Sequence, residues 1–311
     1  MKRLFVLLFT AIACGVGTMA QENHIATLQH GSSVQTFYGD DVLSAAHEVA
    51  VDGDIITLSS GTFKGCPITK AITIRGEGEY KTYITNGTSF TLPQNTPHTL
   101  TLEGLQMTPS EDIVFTGTEW KEKVVISKCI LGLEGYRVRF ISCNATYLQS
   151  QCWATYLESL YESHLTCINS LINNLDCYGT DVQNCNLYGA YPWYMKHSSF
   201  KNTLIYSRVD MDATNTTSHC LAPEGSTGLS SDSWYAPYPN GNPNLWKNAT
   251  TEDHHLTEEA AQMYIGTDGT QTGMFGGMYP YNEIPDYALV KKLDIIGSHQ
   301  NGKLKVKINV E

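Results

Sequence analysis

Four aromatic residues that lie close together in the sequence are suited to binding a sugar ring. Tyr188, Tyr191, Trp193 and Tyr194 all belong to the stretch YGAYPWYMK, and Pro192 among them favours a loop or an edge strand, where rings can be exposed. A flat apolar ring with a polar tip matches a sugar, which is apolar on one side and hydroxylated at the rim. The sequence offers these four residues as a glycan-contact patch, with packing of a loop against the core as the alternative.

The charge balance argues against one broad class of partner. The chain carries 20 basic and 31 acidic residues, a net charge of −11. Such a negative field repels phosphate backbones, and no basic cluster or nucleic-acid motif offsets it. We therefore expect no nucleic-acid partner.

The first residues predict an export signal. Lys2 and Arg3 precede the apolar run LFVLLFTAIA, and small residues lead to Ala20, which are the parts of a secretory signal peptide. We expect cleavage after Ala20, with a lipoprotein signal acylated at Cys14 as the alternative. No later stretch approaches the ~18 apolar residues of a membrane span. The sequence thus predicts an exported protein of the periplasm, the cell surface or the medium, without a transmembrane segment.

Short β-rich segments, separated by Gly, Asn, Ser or Thr, occupy residues 53 to about 206. Several of them run a strand into a polar pair, then a small or apolar residue, then a second strand. The residues after the polar pair are Leu105, Cys129, Cys185 and Thr203, with gaps of 24 and 18, and Cys167 lies 18 before Cys185. These spacings favour the coils of a solenoid over a β-sandwich, whose turns recur every ~8–12 residues. The register between about 132 and 170 stays open because Cys143 and Cys152 break the rhythm.

The cysteines are expected to be mostly reduced. Five of them follow polar residues at the ends of predicted strands: Cys129, Cys143, Cys152, Cys167 and Cys185. Stacked coils lie ~4.8 Å apart with parallel side chains, which keeps Cβ atoms outside the usual range for a disulfide. One or two disulfides in the irregular region are the alternative. No metal site is expected, because no Cys-x-x-Cys motif occurs and His254 and His255 are adjacent.

Different elements are predicted at the two ends of the coils. Val42, Ala45, Ala46 and Val49 recur at helical spacing, with Asp40 as the cap, and we expect this helix to cover the open end of the stack. At the other end, Asn301-Gly302 predicts a tight hairpin. Alternating apolar residues and lysines in its second strand favour a packed hairpin or edge strand over a vestigial attachment segment.

Two stretches carry a resemblance to known proteins. The sequence GDIITLSSGTFKGCPITKAITIRGEG (53–78), after the helix VLSAAHEVAV, resembles the first coil of right-handed parallel β-helix proteins of the pectate-lyase-like superfamily. The stretch NPNLWKNATTEDHHLTEEAAQMYIGTDGTQTGMFGG (242–277) is similar to the closing segment of secreted β-helix repeat proteins of gut Bacteroidota. The resemblance implies an all-β fold, a single-stranded right-handed parallel β-helix. It leaves the chemistry open, since this superfamily includes lyases, hydrolases and non-catalytic surface proteins.

An enzyme of the resembled fold would act on a polysaccharide by β-elimination or hydrolysis. A lyase needs a base and a cation that neutralises the uronate, and the best set for this is Arg137 and Arg139, with Asp210 and Asp212 further along. The alternative is that these four residues are solvated, as most charged residues are. The superfamily's paired-aspartate, Gly-His-Gly and Arg-x-Pro-x-x-Arg signatures are missing from the sequence, which counts against catalysis.

The sequence predicts five parts: a signal peptide at 1–20, an N-terminal cap at 21–50, the parallel β-helix at 51–210, an irregular closing segment at 211–280 and a hairpin at 281–311. The predicted function is a non-catalytic, exported glycan-binding or adhesion module, whose partner is a polysaccharide or a cell-surface glycan and which needs no cofactor. The alternative is a polysaccharide lyase or glycoside hydrolase acting on an acidic polysaccharide, with Ca²⁺ as a cofactor of the lyase.

Overall fold

Short strands separated by turns make up most of the computed structural model, which describes residues 24–118, 121–160, 163–190, 195–237, 246–248, 253–282, 290–295 and 306–310. The described helices are α1 (Val42–Val49) and α2 (Glu258–Met263). The strands, in chain order, are β1 Ile25–His30, β2 Ser33–Tyr38, β3 Ile55–Leu58, β4 Gly61–Phe63, β5 Thr73–Arg75, β6 Thr82–Ile84, β7 Phe90–Thr91, β8 Leu100–Glu103, β9 Gln106–Met107, β10 Ile113–Thr116, β11 Lys123–Ser127, β12 Ile130–Leu131, β13 Arg137–Ile141, β14 Asn144–Leu148, β15 Gln151–Cys152, β16 Tyr156–Leu160, β17 His164–Ile168, β18 Leu171–Asp176, β19 Thr180–Gln183, β20 Asn186–Ala190, β21 Ser199–Lys201, β22 Leu204–Ile205, β23 Thr216–Ser218, β24 Leu221–Pro223, β25 Trp234–Ala236, β26 Trp246–Asn248, β27 Asp253–Leu256, β28 Val290–Ile295 and β29 Val306–Val310.

Two long sheets run through the molecule. The first sheet has the order β2-β1-β3-β5-β8-β11-β14-β17-β19-β21-β23, and the second has β25-β24-β22-β20-β18-β15-β12-β9-β6-β4. A third row, β7-β10-β13-β16, joins the second sheet at β18. Because the chain visits the sheets in turn and the strands from β3 to β25 pair in parallel with strands of neighbouring passes, the protein is an all-β, solenoid-like stack.

The core lies between the sheets and is built of columns of similar side chains. Burial alternates along β8, β11 and β17, as expected for strands with one face toward a core. In the third row, Phe90, Phe115 and Phe140 are stacked with ring centroids 4.4 and 5.0 Å apart. Parallel in-register pairing places each ring directly over the next, and their burial favours folding at about 25 cal/mol per Å² of apolar surface.

A corner joins each strand of the first sheet to the next strand of the second sheet. The corner column consists of residues with φ between +46° and +53°, namely Lys128, Gln149, Asn169, Asn184, Asn202 and His219. This left-handed conformation is least costly for Gly and Asn. The backbone N–H of each of the first five donates to a carbonyl on the following coil, so the corners are stacked as well as the strands.

The residue after each corner faces inward and is small in most coils. Backbone bonds place Leu105, Cys129, Cys185 and Thr203 in one column, as the sequence predicted. Ser150 and Ser170 fill the column between Cys129 and Cys185, which settles the register that the sequence left open. The assignment of Cys167 to this column was wrong. It lies in mid-strand opposite Tyr147 and Val182.

All eight cysteines after residue 20 are buried and unpaired, which confirms the expectation of reduced thiols. They are Cys66, Cys129, Cys143, Cys152, Cys167, Cys177, Cys185 and Cys220. Burial raises the pKa of each thiol, for example to about 11 in Cys66 and to about 12 in Cys152. A suppressed thiolate is a poor nucleophile and a poor metal ligand.

The N-terminal end of the stack contains the predicted helix and also a hairpin that the sequence did not predict. Strands β1 and β2 are antiparallel, and β1 pairs antiparallel with β3. Helix α1 buries Val42, Leu43 and Ala46. The prediction of Asp40 as the cap was wrong. Asp41 holds that position without a capping hydrogen bond, and its carboxylate lies 3.1 Å from the amino group of Lys64.

The C-terminal part differs from the prediction in one respect. Parallel pairing continues past residue 210 through β23, β24 and β25. Strands β28 and β29 pair antiparallel, and the Asn301-Gly302 turn predicted between them lies outside the described residues. Neither described helix is long and apolar enough to cross a membrane. The predicted signal peptide, with Cys14, lies outside the described residues.

Candidate functional site

A return segment, residues 254–282, runs back along the corner column and is held there by corner side chains. The amide nitrogen of Asn169 donates to the carbonyls of Met274 and Gly276 at 2.9 and 2.6 Å. The side-chain amides of Asn184 and Asn202 donate to the carboxylate of Asp268 at 3.2 and 2.9 Å. These bonds fix where the return segment faces the second sheet.

A pocket of about 470 Å³ lies between the second sheet and the return segment. Its floor comes from outward positions of successive coils and its other wall from the return segment, so that the lining residues are Tyr80, Gln106, Ile130, Gln151, Trp153, Leu171, His254, His255, Met274, Phe275 and Tyr281. Pockets of a few hundred Å³ with aromatic walls and a few polar groups are typical of small-molecule sites. The pocket is therefore the candidate functional site.

One part of the pocket wall is a polar network around a buried carboxylate. Glu79 is 1% exposed, and its Oε1 accepts a hydrogen bond from the Tyr281 hydroxyl at 2.5 Å. The amide nitrogen of Gln151 lies 3.0 Å from the Tyr80 hydroxyl, 2.5 Å from the Tyr281 hydroxyl and 3.4 Å from Glu79 Oε1. Burial, followed by the charge of Glu79, raises the pKa of Tyr281, so this phenol stays protonated.

The other polar wall is an aromatic cluster around His254. Its Nδ1 lies 3.1 Å from the Tyr206 hydroxyl and 3.4 Å from the Tyr188 hydroxyl. The rings of Tyr188 and Tyr206 are stacked with centroids 4.5 Å apart, and Trp153 lies 6.1 Å from Tyr188. Burial raises the pKa of Tyr206. Tyr188, from the predicted glycan-contact patch, thus lies directly behind the pocket wall.

The rest of that predicted patch cannot be compared with the structure. Tyr191, Trp193 and Tyr194 lie outside the described residues. Sequence analysis did not find Glu79, Gln151, Trp153, Phe275 or Tyr281. No spacing in the sequence related these side chains to each other.

Of the four charged residues predicted for a lyase, the two arginines lie together in the structure. Arg137 and Arg139 lie side by side in the third row, where both guanidinium groups donate to Glu158, which is 2% exposed. Arg139 also lies 3.2 Å from Asp112, and Arg137 lies over the Tyr156 ring. These arginines thus lie beside carboxylates that the sequence did not single out.

The two predicted aspartates lie elsewhere. Asp210 accepts a hydrogen bond from the Thr227 hydroxyl, and Asp212 accepts from the backbone N–H and hydroxyl of Thr214 at 2.8 and 2.7 Å. The Thr214 hydrogen bonds lower the pKa of Asp212. No described hydrogen bond or ion pair joins either aspartate to Arg137 or Arg139. Hydrogen bonds therefore do not join the two aspartates to the two arginines. Each aspartate instead bonds to a threonine, Asp212 within its own turn and Asp210 on the neighbouring coil.

Among the described residues, no group of three His, Cys, Asp or Glu side chains is placed to hold a metal ion. No family model, curated protein or solved structure matches this chain. The resemblance to β-helix proteins accordingly rests on the two sequence stretches described above.

Proposed function

We propose that this protein is an exported, right-handed parallel β-helix that binds a glycan without cleaving it, in the pocket between the second sheet and the return segment. The observation that carries the proposal is the pocket itself, with Trp153, Phe275, His255 and Tyr281 arranged around a cavity of about 470 Å³. Aromatic faces that end in polar groups suit sugar rings. The predicted contact residue Tyr188 supports the Trp153 side of this wall.

Handedness is proposed on general grounds. Parallel strands of one sheet are joined here by long crossovers, and such crossovers are right-handed in about 98% of known cases. Export is proposed from the first 20 residues, and N-terminal sequencing of the secreted protein tests it. A mature chain that begins at Gln21 would support the proposal, and a lipid-modified Cys14 would contradict it.

Binding is favoured over glycoside hydrolysis by the groups at the pocket. Hydrolysis requires two positioned carboxylates. The described lining residues include amides, phenols and imidazoles, and the carboxylate that contacts them through hydrogen bonds is Glu79. This chemistry suits recognition of hydroxyl groups.

A second candidate, an enzyme that cleaves an acidic polysaccharide, is favoured by the third row. Arg137 and Arg139 lie beside Glu158, which in turn pairs in register with Asp176. Against this candidate, both guanidinium groups already donate to Glu158, and Arg139 also pairs with Asp112, so neither is turned only to a substrate uronate. Incubation with uronic-acid polymers decides the matter, since unsaturated products absorb in the ultraviolet.

The test of the binding proposal is a glycan array probed with residues 21–311 and with a Trp153→Ala variant. We expect the variant to lose at least about fivefold in affinity, because an aromatic stacking surface contributes ~1 kcal/mol or more. Tyr178→Ala is the matched control, since this exposed ring lies tilted against His197 and does not line the pocket. Unchanged binding by Trp153→Ala would contradict the pocket as the site. A loss on Trp193→Ala instead would move the site to the predicted patch.

A further inference from the structure

Strand β2 (Ser33–Tyr38) is an open edge of the first sheet. Among the described strands it pairs with β1 alone, and five of its six residues are exposed. The strands at the other ends of the two long sheets, β4, β23 and β25, have only three residues each. A short edge offers few backbone groups to a second chain. Strand β2 is therefore the end of a sheet that is best able to receive another strand.

The turn between β1 and β2 determines which backbone groups bond inside the hairpin. His30 and Ser33 face each other across a two-residue turn, and such a closing pair is hydrogen-bonded. Hydrogen-bonded pairs of an antiparallel ladder recur at every second residue. At the far end of the hairpin the N–H of Gly39 donates to the carbonyl of His24, which continues the same series.

The alternate residues of β2, which are Val34, Thr36 and Tyr38, therefore turn their N–H and C=O groups away from β1. Among the described residues, no hydrogen bond to these outward groups is found. Helix α1 packs against β1, β2 and β3 and shares the core with Ala26 and Leu28, so it lies over the inner face of the hairpin. A row of unpaired backbone groups of this kind is a template for pairing with another strand.

The side chains of β2 favour a second copy of this chain as the partner. Its sequence, SVQTFY, contains no charged residue and no proline, which are common means of preventing edge pairing. Val34 and Tyr38 are 65% and 70% exposed. Because the chain has a net charge of −11, two copies repel each other overall. An uncharged edge allows them to meet without placing like charges opposite each other.

We propose that two copies of the protein pair antiparallel through β2, about a twofold axis at Thr36. In this register Thr36 lies opposite Thr36 of the second copy, and Val34 lies opposite Tyr38 of the second copy. All three outward residues then exchange N–H···O=C hydrogen bonds, and each exposed valine gains an aromatic neighbour across the junction. A twofold contact uses the same surface on both copies, so assembly stops at the dimer. This inference is independent of the proposed glycan-binding function.

Sedimentation velocity of residues 21–311 over a range of concentrations measures the dimer. For the unmodified chain we expect an equilibrium of monomer and dimer without larger species. Thr36→Lys places two like charges opposite each other at the axis, and should weaken dimerisation at least about tenfold. Gln29→Lys is the matched control, because it adds the same charge at an exposed position of β1, opposite Val34 of its own chain. We expect this control to dimerise like the unmodified chain.

A charge exchange tests the twofold register and does not depend on the fold of a single variant. Thr36→Glu alone should also weaken dimerisation, because two carboxylates then face each other. A mixture of Thr36→Lys and Thr36→Glu should dimerise again, since opposite charges meet at the axis. Misfolding of either variant would not produce this recovery.

Hydrogen exchange shows whether the edge itself is covered. The amides of Val34, Thr36 and Tyr38 should exchange slowly in the dimer and rapidly after dilution to the monomer. Slow exchange at every concentration would show that another segment of the same chain covers β2, and would overturn the proposal.

The remaining outcomes also decide between partners. A chain that stays monomeric while its β2 amides exchange rapidly would overturn self-pairing and leave the edge to a different protein. A dimer that is equally strong in Thr36→Lys would place the interface elsewhere. Assemblies that keep growing with concentration would contradict the closed twofold contact, and a mixture of the two charged variants that fails to associate would contradict the register.

Discussion

Two buried carboxylates in this molecule have opposite surroundings. Glu158, in the third row, accepts from two guanidinium groups. Glu79, behind the pocket, accepts from a phenol and an amide whose own oxygen atoms can still face a ligand. A carboxylate held by two arginines is part of an ionic cluster, whereas the phenol and the amide that bond to Glu79 both line the candidate pocket. The comparison indicates that the arginines that stand out in the sequence pair with carboxylates of the solenoid, and that the candidate pocket is lined by aromatic, aliphatic, amide and imidazole side chains.

The largest expected effect comes from removing the centre of the ionic cluster. Glu158→Ala leaves Arg137 and Arg139 with a lost partner, and we expect it to lower the free energy of unfolding by about 3 kcal/mol, the lower end for a broken buried pair because both arginines are partly exposed. Urea denaturation measures this loss. Glu158→Gln keeps the side-chain volume and removes the charge, so the difference between the two variants measures the loss of packing. If glycan affinity of the folded variant also fell sharply, the separation between the two regions would be wrong.

A smaller effect is expected where the return segment is anchored. Asn169→Ala removes two hydrogen bonds to the return segment and places a non-glycine residue without a polar side chain at φ +48°. We expect a loss of about 2 kcal/mol, together with faster proteolysis within residues 254–282.

Asn169→Gly separates the two causes. Glycine relieves the backbone strain but makes no side-chain hydrogen bond, so it should recover part of the unfolding free energy while proteolysis of the return segment stays fast. Full recovery of protease resistance would show that the Asn169 side chain does not hold the pocket wall.

The smallest effect is expected at Asp176, which lies beside the ionic cluster and makes the stability depend on pH. Burial, and then the charge of Glu158, raises the pKa of Asp176. A raised pKa in the folded state means that the folded protein binds the proton more tightly, so stability falls as the pH rises from the ordinary carboxyl range through the raised pKa. Asp176→Asn should remove this penalty. It should be more stable than the parent at pH 7 by less than about 1 kcal/mol, since the group is partly exposed.

Thermal unfolding of both proteins between pH 3 and pH 7 measures the difference. The difference in stability should become smaller as the pH falls, because at low pH Asp176 is protonated in both the folded and the unfolded state. A difference that stays constant with pH would assign the gain to packing rather than to charge.

Much of the fold could be predicted because neighbouring coils are close in the sequence. Cys129 and Ser150 are 21 residues apart and Ser150 and Ser170 are 20 apart, so a repeated strand, corner and small residue recurs within a short window. The prediction failed at Ser150 and Ser170 because serine replaces cysteine there and because the coil length varies. The β1–β2 hairpin was missed because its outer strand is almost wholly exposed and lacks an alternating pattern.

The sequence by itself determined the solenoid character and the reduced thiols, since each depends on local spacing and side-chain size. Only the tertiary structure decided the pocket. Gln151 and Tyr281 are 130 residues apart in the sequence, and Glu79 and Tyr281 are 202 apart. Whether they come into contact depends on the combined length of all the coils between them and on the corner asparagines that hydrogen-bond to the return segment. A contact fixed by such accumulated register has no local signature, which is why the polar wall of the pocket was absent from every pattern in the sequence.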